Sequence, residues 1–411
     1  MQPCNACRFC GAKLQTTFVD LGKTPLCETF LNSEALSEPE SFYPLHAFVC
    51  AECFLVQLPE HVSPPEIYRD YPYFSSFSSS WVAHARDYCT SIVDELRLDA
   101  TSLVVEVASN DGYLLQHFIE REIPCVGIEP AKNVALVAQE KGITTEVAFL
   151  GSAVADQLAE RHGLADLVIA NNVLAHVPDI NDFIQALKML IGPEGRATLE
   201  FPHLLCLMRE IQFDTIYHEH FSYLSLFFVE QAFARWGLRV FDVEEIPTHG
   251  GSLRVHVAHS ESNRGARSER MERVLADEVD YGLRTLDVYR RFGRDVVKLK
   301  NELLLFLVTA KNSGKKVVGY GAPGKGNTLL NYCGIRSDLL EYTVDISPHK
   351  QGLYTPGTHI PIYSPDKIFE TKPDYLLILP WNLATEITQQ MHAIRAWDGK
   401  FVTPVPKVTV H

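Results

Sequence analysis

No stretch of the sequence approaches the roughly 20 apolar residues that a membrane-spanning helix needs. Its opening, Met1-Gln2-Pro3-Cys4, carries no apolar signal core. Positive charge is also in short supply. The net charge of −14 excludes nonspecific attraction to nucleic acid or anionic lipid, and leaves room only for a local basic pocket. A soluble, cytoplasmic protein with no nucleic-acid or membrane partner is the expectation, and a monomer is preferred. In a reducing compartment the ten cysteines are not a disulfide framework. What remains is a chain of 411 residues, 46% hydrophobic and 21% charged, long enough for two or three globular domains.

Six of the ten cysteines crowd the first fifty-odd positions. Cys7-Arg8-Phe9-Cys10-Gly11 and Cys50-Ala51-Glu52-Cys53 form a C-x2-C … C-x2-C set. Each two-residue spacer lets one tight turn aim both thiolates at a single ion, and two such turns complete a tetrahedron. Structural zinc held by Cys7, Cys10, Cys50 and Cys53 follows, with Cys4 a spectator. Four sulfur ligands leave no open coordination position, so the metal holds shape and does no chemistry. Next, Asp70-Tyr71-Pro72-Tyr73-Phe74-Ser75-Ser76 alternates hydroxyls and aromatics without regular period. It is either a packed linker or a loop lining a polar substrate cavity, with Ser75 and Ser76 as contacts. An amphipathic stretch runs from about Trp81 to Leu98.

Leu103–Val107 reads as a buried parallel strand that enters the small-residue turn Ala108-Ser109-Asn110-Asp111-Gly112. A second strand, Cys125–Ile128, ends in Glu129, about twenty residues on, where an acid can accept both ribose hydroxyls. A third, within Asp166–Val177, carries Asn171, Asn172 and His176 at its C-terminal end, the edge where ligands sit in open α/β sheets. The turn lacks the G-x-G-x-x-G of dinucleotide folds. Glu106, Ala108, Asn110, Gly112, Glu129, Asn171 and Asn172 instead resemble the cofactor site of S-adenosylmethionine methyltransferases, with Ala108 where glycine is more usual.

After a charged, helical stretch from about Gly265 to Asn312, Lys316–Tyr320 leads into Gly321-Ala322-Pro323-Gly324-Lys325-Gly326-Asn327. Backbone amides plus one ammonium suit a pyrophosphate, so Gly321, Lys325, Gly326 and Asn327 are substrate candidates. Between these regions stands Tyr217-His218-Glu219-His220, a phenol, two imidazoles and a carboxylate in four residues. Imidazole is the default group for moving a proton near neutral pH, a carboxylate can stabilise it, and a phenol can donate to an oxyanion. His203 and His249 read as structural. The run His249-Gly250-Gly251-Ser252 could line a cleft, and Arg254 is a candidate anion contact.

With these motifs in order, the whole chain resembles the nucleotide-sugar C-methyltransferases that install branched methyl groups in deoxysugars. The likeness rests on residues 7–11, 50–53, 73–76, 109–112, 217–223 and 321–327, and on Lys350-Gln351-Gly352 with Pro356-Gly357-Thr358. It implies an α/β protein with a zinc-binding module (1–80), a central S-adenosylmethionine methyltransferase domain (81–255) and a C-terminal Rossmann-like domain that binds the nucleotide sugar (256–411). It also implies a dTDP-linked 4-keto-deoxysugar substrate, methylated at C3 through an enolate. By the same resemblance His220 is the base, Glu219 and Tyr217 are its acid and phenol neighbours, and His176 is a second active-site imidazole. Either Tyr71 or Tyr73 completes the site. An O- or N-methyltransferase, or a noncatalytic binder, would share the scaffold without the enolate machinery.

Overall fold

The computed structural model describes residues 6–67, 74–262 and 267–411. Tyr71, Tyr73 and Cys4 lie outside the described residues.

The two cysteine turns are built alike. Gly11 N–H returns to the Cys7 carbonyl and Phe54 N–H to that of Cys50, and both Gly11 and Phe54 take positive φ. Glycine does this freely; at Phe54 the tetrahedral centre and its packing hold the strained backbone. Behind them lies a four-stranded antiparallel sheet, in the order Thr16–Thr24, Tyr43–Val49, Val56–Gln57 and Ser222–Tyr223. Its fourth strand comes from the far side of the chain, directly after the Tyr-His-Glu-His run. Backbone pairing of Val56 with Tyr223 and Gln57 with Ser222 therefore ties that run to the cysteine module.

The central sheet has seven strands, in the order Leu238–Ile246, Ser252–His259, Ile191–Pro202, Ala165–Asn171, Val104–Val107, Cys125–Ile128 and Thr145–Glu146. The last five of these run parallel, and Ser252–His259 is antiparallel to both of its neighbours. Val104–Val107 is buried at every position, as expected for a parallel strand covered on both faces. The helix Ser79–Leu96 starts where the Ser78 hydroxyl accepts the Trp81 N–H and stops at Arg97, which is left-handed.

The rear sheet, in the order Ile362–Tyr363, Thr343–Val344, Val317–Tyr320, Tyr375–Ile378, Lys400–Thr403 and Thr409–Val410, is parallel except for its last strand. The charged stretch before it forms two helices, Glu269–Tyr281 and Leu286–Asn312, separated at the left-handed Gly282. The longer helix presses Phe292 flat on Phe18, with centroids 4.4 Å apart. One apolar core thus joins Phe18 and Leu45 of the front sheet, Phe213 and Ile216 ahead of the histidine run, Leu303 of the long helix, Leu329 of the helix Gly324–Cys333 and Leu377 of the rear sheet. A second core packs Cys7, Cys50 and Cys53 against the central sheet. Among the described residues, no helix is long and apolar enough to cross a membrane.

Candidate active site

The four thiolates of Cys7, Cys10, Cys50 and Cys53 lie within 4.8 Å of one another, and the Gln57 amide donates to Cys7 Sγ at 3.1 Å. This donor set fits tetrahedral zinc and closes it off. Its role is structural.

At the C-terminal edge of the central sheet, Ala108 and Asn110 both have positive φ, so their turn curls back on the strand end. Gly112 has φ +77, and a Cβ there would meet Ile143 Cδ1 at 2.1 Å. Glu129 accepts the Asn110 N–H at 2.9 Å and the Ala131 N–H at 2.8 Å, which aims its carboxylate over the turn. Burial raises its pKa. Asn171 Oδ1 is buried without a partner. A backbone turn, a preset acid and an orphaned amide oxygen fit an adenosyl ligand.

A cavity of about 600 Å³ opens from this turn. Its wall includes Ala108, Asn110, Glu129, Asn171 and Asn172, then His176, Tyr217, Glu219 and His220, and finally Lys325 and Lys350. Residues drawn from all three regions of the sequence thus face one space. His220 Nδ1 donates to the Thr215 carbonyl at 2.9 Å; because that oxygen can only accept, Nε2 is left without a proton. The His220 ring lies 4.0 Å from that of Tyr217, tilted by 34°, and meets His176 edge-on at 4.7 Å. Burial, reinforced by His176, holds its pKa well below the ordinary imidazole range. His176, pushed down to about 4 by burial, is also neutral. Burial, and then the nearby Glu28, push Glu219 up to about 8, and burial keeps the Tyr217 phenol protonated. The site therefore offers two neutral imidazoles, His220 and His176, beside two groups that hold protons at neutral pH.

Several sequence candidates stand outside the cavity wall. Glu106 is buried under the turn with one oxygen unpaired, close to Glu129 and Asp111, and its pKa is raised by burial. Ser75 reaches the cavity, and its N–H donates to Asn110 Oδ1; Ser76 instead meets Lys141 and Asp111. In the glycine-rich turn the chain consumes its own donors. The Gly321 N–H goes to the Val344 carbonyl, the Ala322 N–H to Asp345, and the Gly324 N–H to Glu28. Asn327 is spent on the Cys27 carbonyl, and Gly326 packs on Leu379. Only Lys325 carries the expected cationic contact into the cavity, its ammonium 2.9 Å from Asn382 Oδ1 and over Trp381. Arg254 is taken up by Glu200 and Glu244 on the two neighbouring strands. His218 points to the Pro44 carbonyl, and His203 pairs with Glu278.

Two residues of the site stand outside every sequence motif: Glu28, which lines the cavity 3.4 Å from Lys350, and Thr215, which orients His220. No local pattern marks either residue. Gly319-Tyr320-Gly321-Ala322-Pro323-Gly324 is a further G-x-G-x-x-G between a strand and a helix. His249, whose glycine-rich run the sequence allows to line a cleft, lines the cavity.

Sheet, turn and cavity define a methyltransferase. A zinc binding domain model matches residues 7–68, a methyltransferase domain model 81–243 and a C-methyltransferase C-terminal domain model 247–406. C-methyltransferase NovU of Streptomyces niveus is 35% identical over 410 residues, spanning 100% of this chain and 97% of that protein. The chain belongs to this family of S-adenosylmethionine-dependent C-methyltransferases. Partial overlaps, both with TM-score 0.34, occur with two solved structures. Magnesium protoporphyrin IX methyltransferase of Synechocystis is 17% identical over 48% of this chain and 89% of that one. A methyltransferase of Anabaena variabilis is 15% identical over 42% and 85%.

Proposed function

We propose that the enzyme methylates a ring carbon, C3, of a nucleotide-linked 4-keto-deoxysugar by way of an enolate. The observation that carries this reading is the single cavity running from the Glu129 turn past His220 to Lys325 and Lys350. A sugar C–H is acidic enough to be removed only beside a carbonyl, so carbon methylation calls for a base and for a donor to the ketone oxygen. Bound S-adenosylmethionine supplies an electrophilic sulfonium methyl.

His220 Nε2 takes the C3 proton, and charge moves onto O4. Tyr217 donates to that oxygen, while Glu219, protonated near neutrality, adds no repelling charge. The enolate carbon would then take the methyl group as the methyl–sulfur bond breaks and S-adenosylhomocysteine leaves, with the C3 proton held on His220 Nε2. Lys325 and Lys350 supply the positive charge for a diphosphate, which for a dTDP sugar lies at the far end of the cavity. His220→Asn should lower turnover by roughly 10²–10⁴-fold with donor affinity kept. The deciding test is exchange of the C3 hydrogen in deuterium oxide with S-adenosylhomocysteine bound. Exchange that requires His220 supports the enolate. Methylation without any exchange-competent C–H, on oxygen or nitrogen, overturns it.

A further inference from the structure

The carbonyl that orients His220 belongs to Thr215, and the rear domain holds both neighbours, Asp214 by its side chain and Ile216 by its backbone. Trp381 Nε1 donates to Asp214 Oδ2 at 2.6 Å. Thr328 Oγ1 lies 3.3 Å from the Ile216 carbonyl and 3.5 Å from its own Gly324 carbonyl. Asp214 is fully buried and its other oxygen has no partner, so the indole N–H is the side-chain donor that fixes it. Trp381 itself cannot move freely: a Cβ on Gly250 would sit 2.7 Å from its ring edge, and Lys325 lies 4.7 Å over its face. Lys325 and Thr328 belong to one helix, Gly324–Cys333.

We propose that Trp381 and Thr328 are positioning residues, which join the docking of the anionic substrate handle at Lys325 to the aim of the His220 ring through Asp214, Thr215 and Ile216. Neither residue touches the reacting carbon. Both act on the carbonyl that selects the His220 tautomer and points Nε2 into the cavity. This inference rests on His220 being the base.

The test compares Trp381→Phe, Thr328→Val and Thr328→Ser with wild type in the full-length zinc-loaded enzyme, using S-adenosylmethionine and a dTDP-4-keto-deoxysugar. Loosening the carbonyl should lower kcat about tenfold or more, since small misalignments of a base are costly. KM for the donor should stay unchanged, and Thr328→Ser should recover most of the loss. The groups facing His220 are Tyr217 and Tyr223 on its own segment, and His176, His249 and Lys325 from the other elements. The Thr215 hydrogen bond raises the His220 pKa, so freeing the ring should move the acid limb of kcat further down, away from the ordinary imidazole value. Partial unfolding alone lowers kcat without moving that limb. An unmoved limb in both Trp381→Phe and Thr328→Val overturns the coupling. If His220→Asn itself retains turnover, the base assignment has failed instead.

Discussion

Tyr223 pairs through its backbone with Val56, and these two residues stand three positions beyond His220 and Cys53 respectively. The zinc centre and the histidine run are therefore anchored to the same short stretch of sheet. The Leu58 N–H extends the contact to the Phe221 carbonyl at 3.0 Å.

Metal loss should consequently disable catalysis even though the metal performs none. Structural zinc sites of this kind contribute on the order of 10 kcal/mol to folding of their module. Cys50→Ser, or treatment with a strong chelator, should lower the unfolding temperature, abolish turnover and raise amide exchange across 217–223. Full turnover with metal content near zero would disprove the link.

Glu219 sets a pH dependence whose sign follows from its raised pKa. The folded protein holds this proton up to about 8, whereas the unfolded chain releases it near the ordinary carboxyl value of 4.5. Its contribution to stability is thus fully present below 4.5 and is lost as the pH rises toward 8. Glu28, Glu129 and Asp214, also raised by burial, act in the same direction. Thermal unfolding of wild type against Glu219→Gln from pH 5 to 8.5 should show the variant gaining relative stability with pH. A constant difference would rule this out.

Gly112→Ala should destabilise the central domain by about 1–3 kcal/mol, since the residue has φ +77 and its new methyl would meet Ile143. Donor affinity should fall with it, as the turn that carries Asn110 is displaced. Urea titration and calorimetry of S-adenosylhomocysteine binding measure the two effects separately.

Lys325→Ala should raise KM for the nucleotide sugar by roughly 10- to 100-fold, the worth of one charge-assisted hydrogen bond. Its effect on kcat should be smaller, because the ammonium serves binding of the remote end. Steady-state kinetics with varied sugar nucleotide decide the matter, and an unchanged KM would move the diphosphate away from this helix.

Some of this was legible in the chain because the relevant geometry is local. Two cysteines across a four-residue turn can meet one ion whatever the rest of the fold does. A buried strand that ends in a small-residue turn, with an acid at the tip of the next strand, marks a nucleotide edge for the same reason. The glycine-rich turn illustrates the limit of such reading. Its sequence offers amides to an anion, yet Asp345 and Glu28, remote in the chain, already accept two of them.

The sequence by itself determined the metal ligands, the order of strands and turns, and the presence of a base, an acid and a phenol in one run. Tertiary structure alone decided which of the two imidazoles in that run faces the cavity. It also brought Cys27 to within 3.9 Å of Glu219 from 192 residues away, and fixed the proton on His220 through a backbone carbonyl. Protonation state depends on desolvation and on neighbours supplied by other elements, and neither is a property of spacing along the chain.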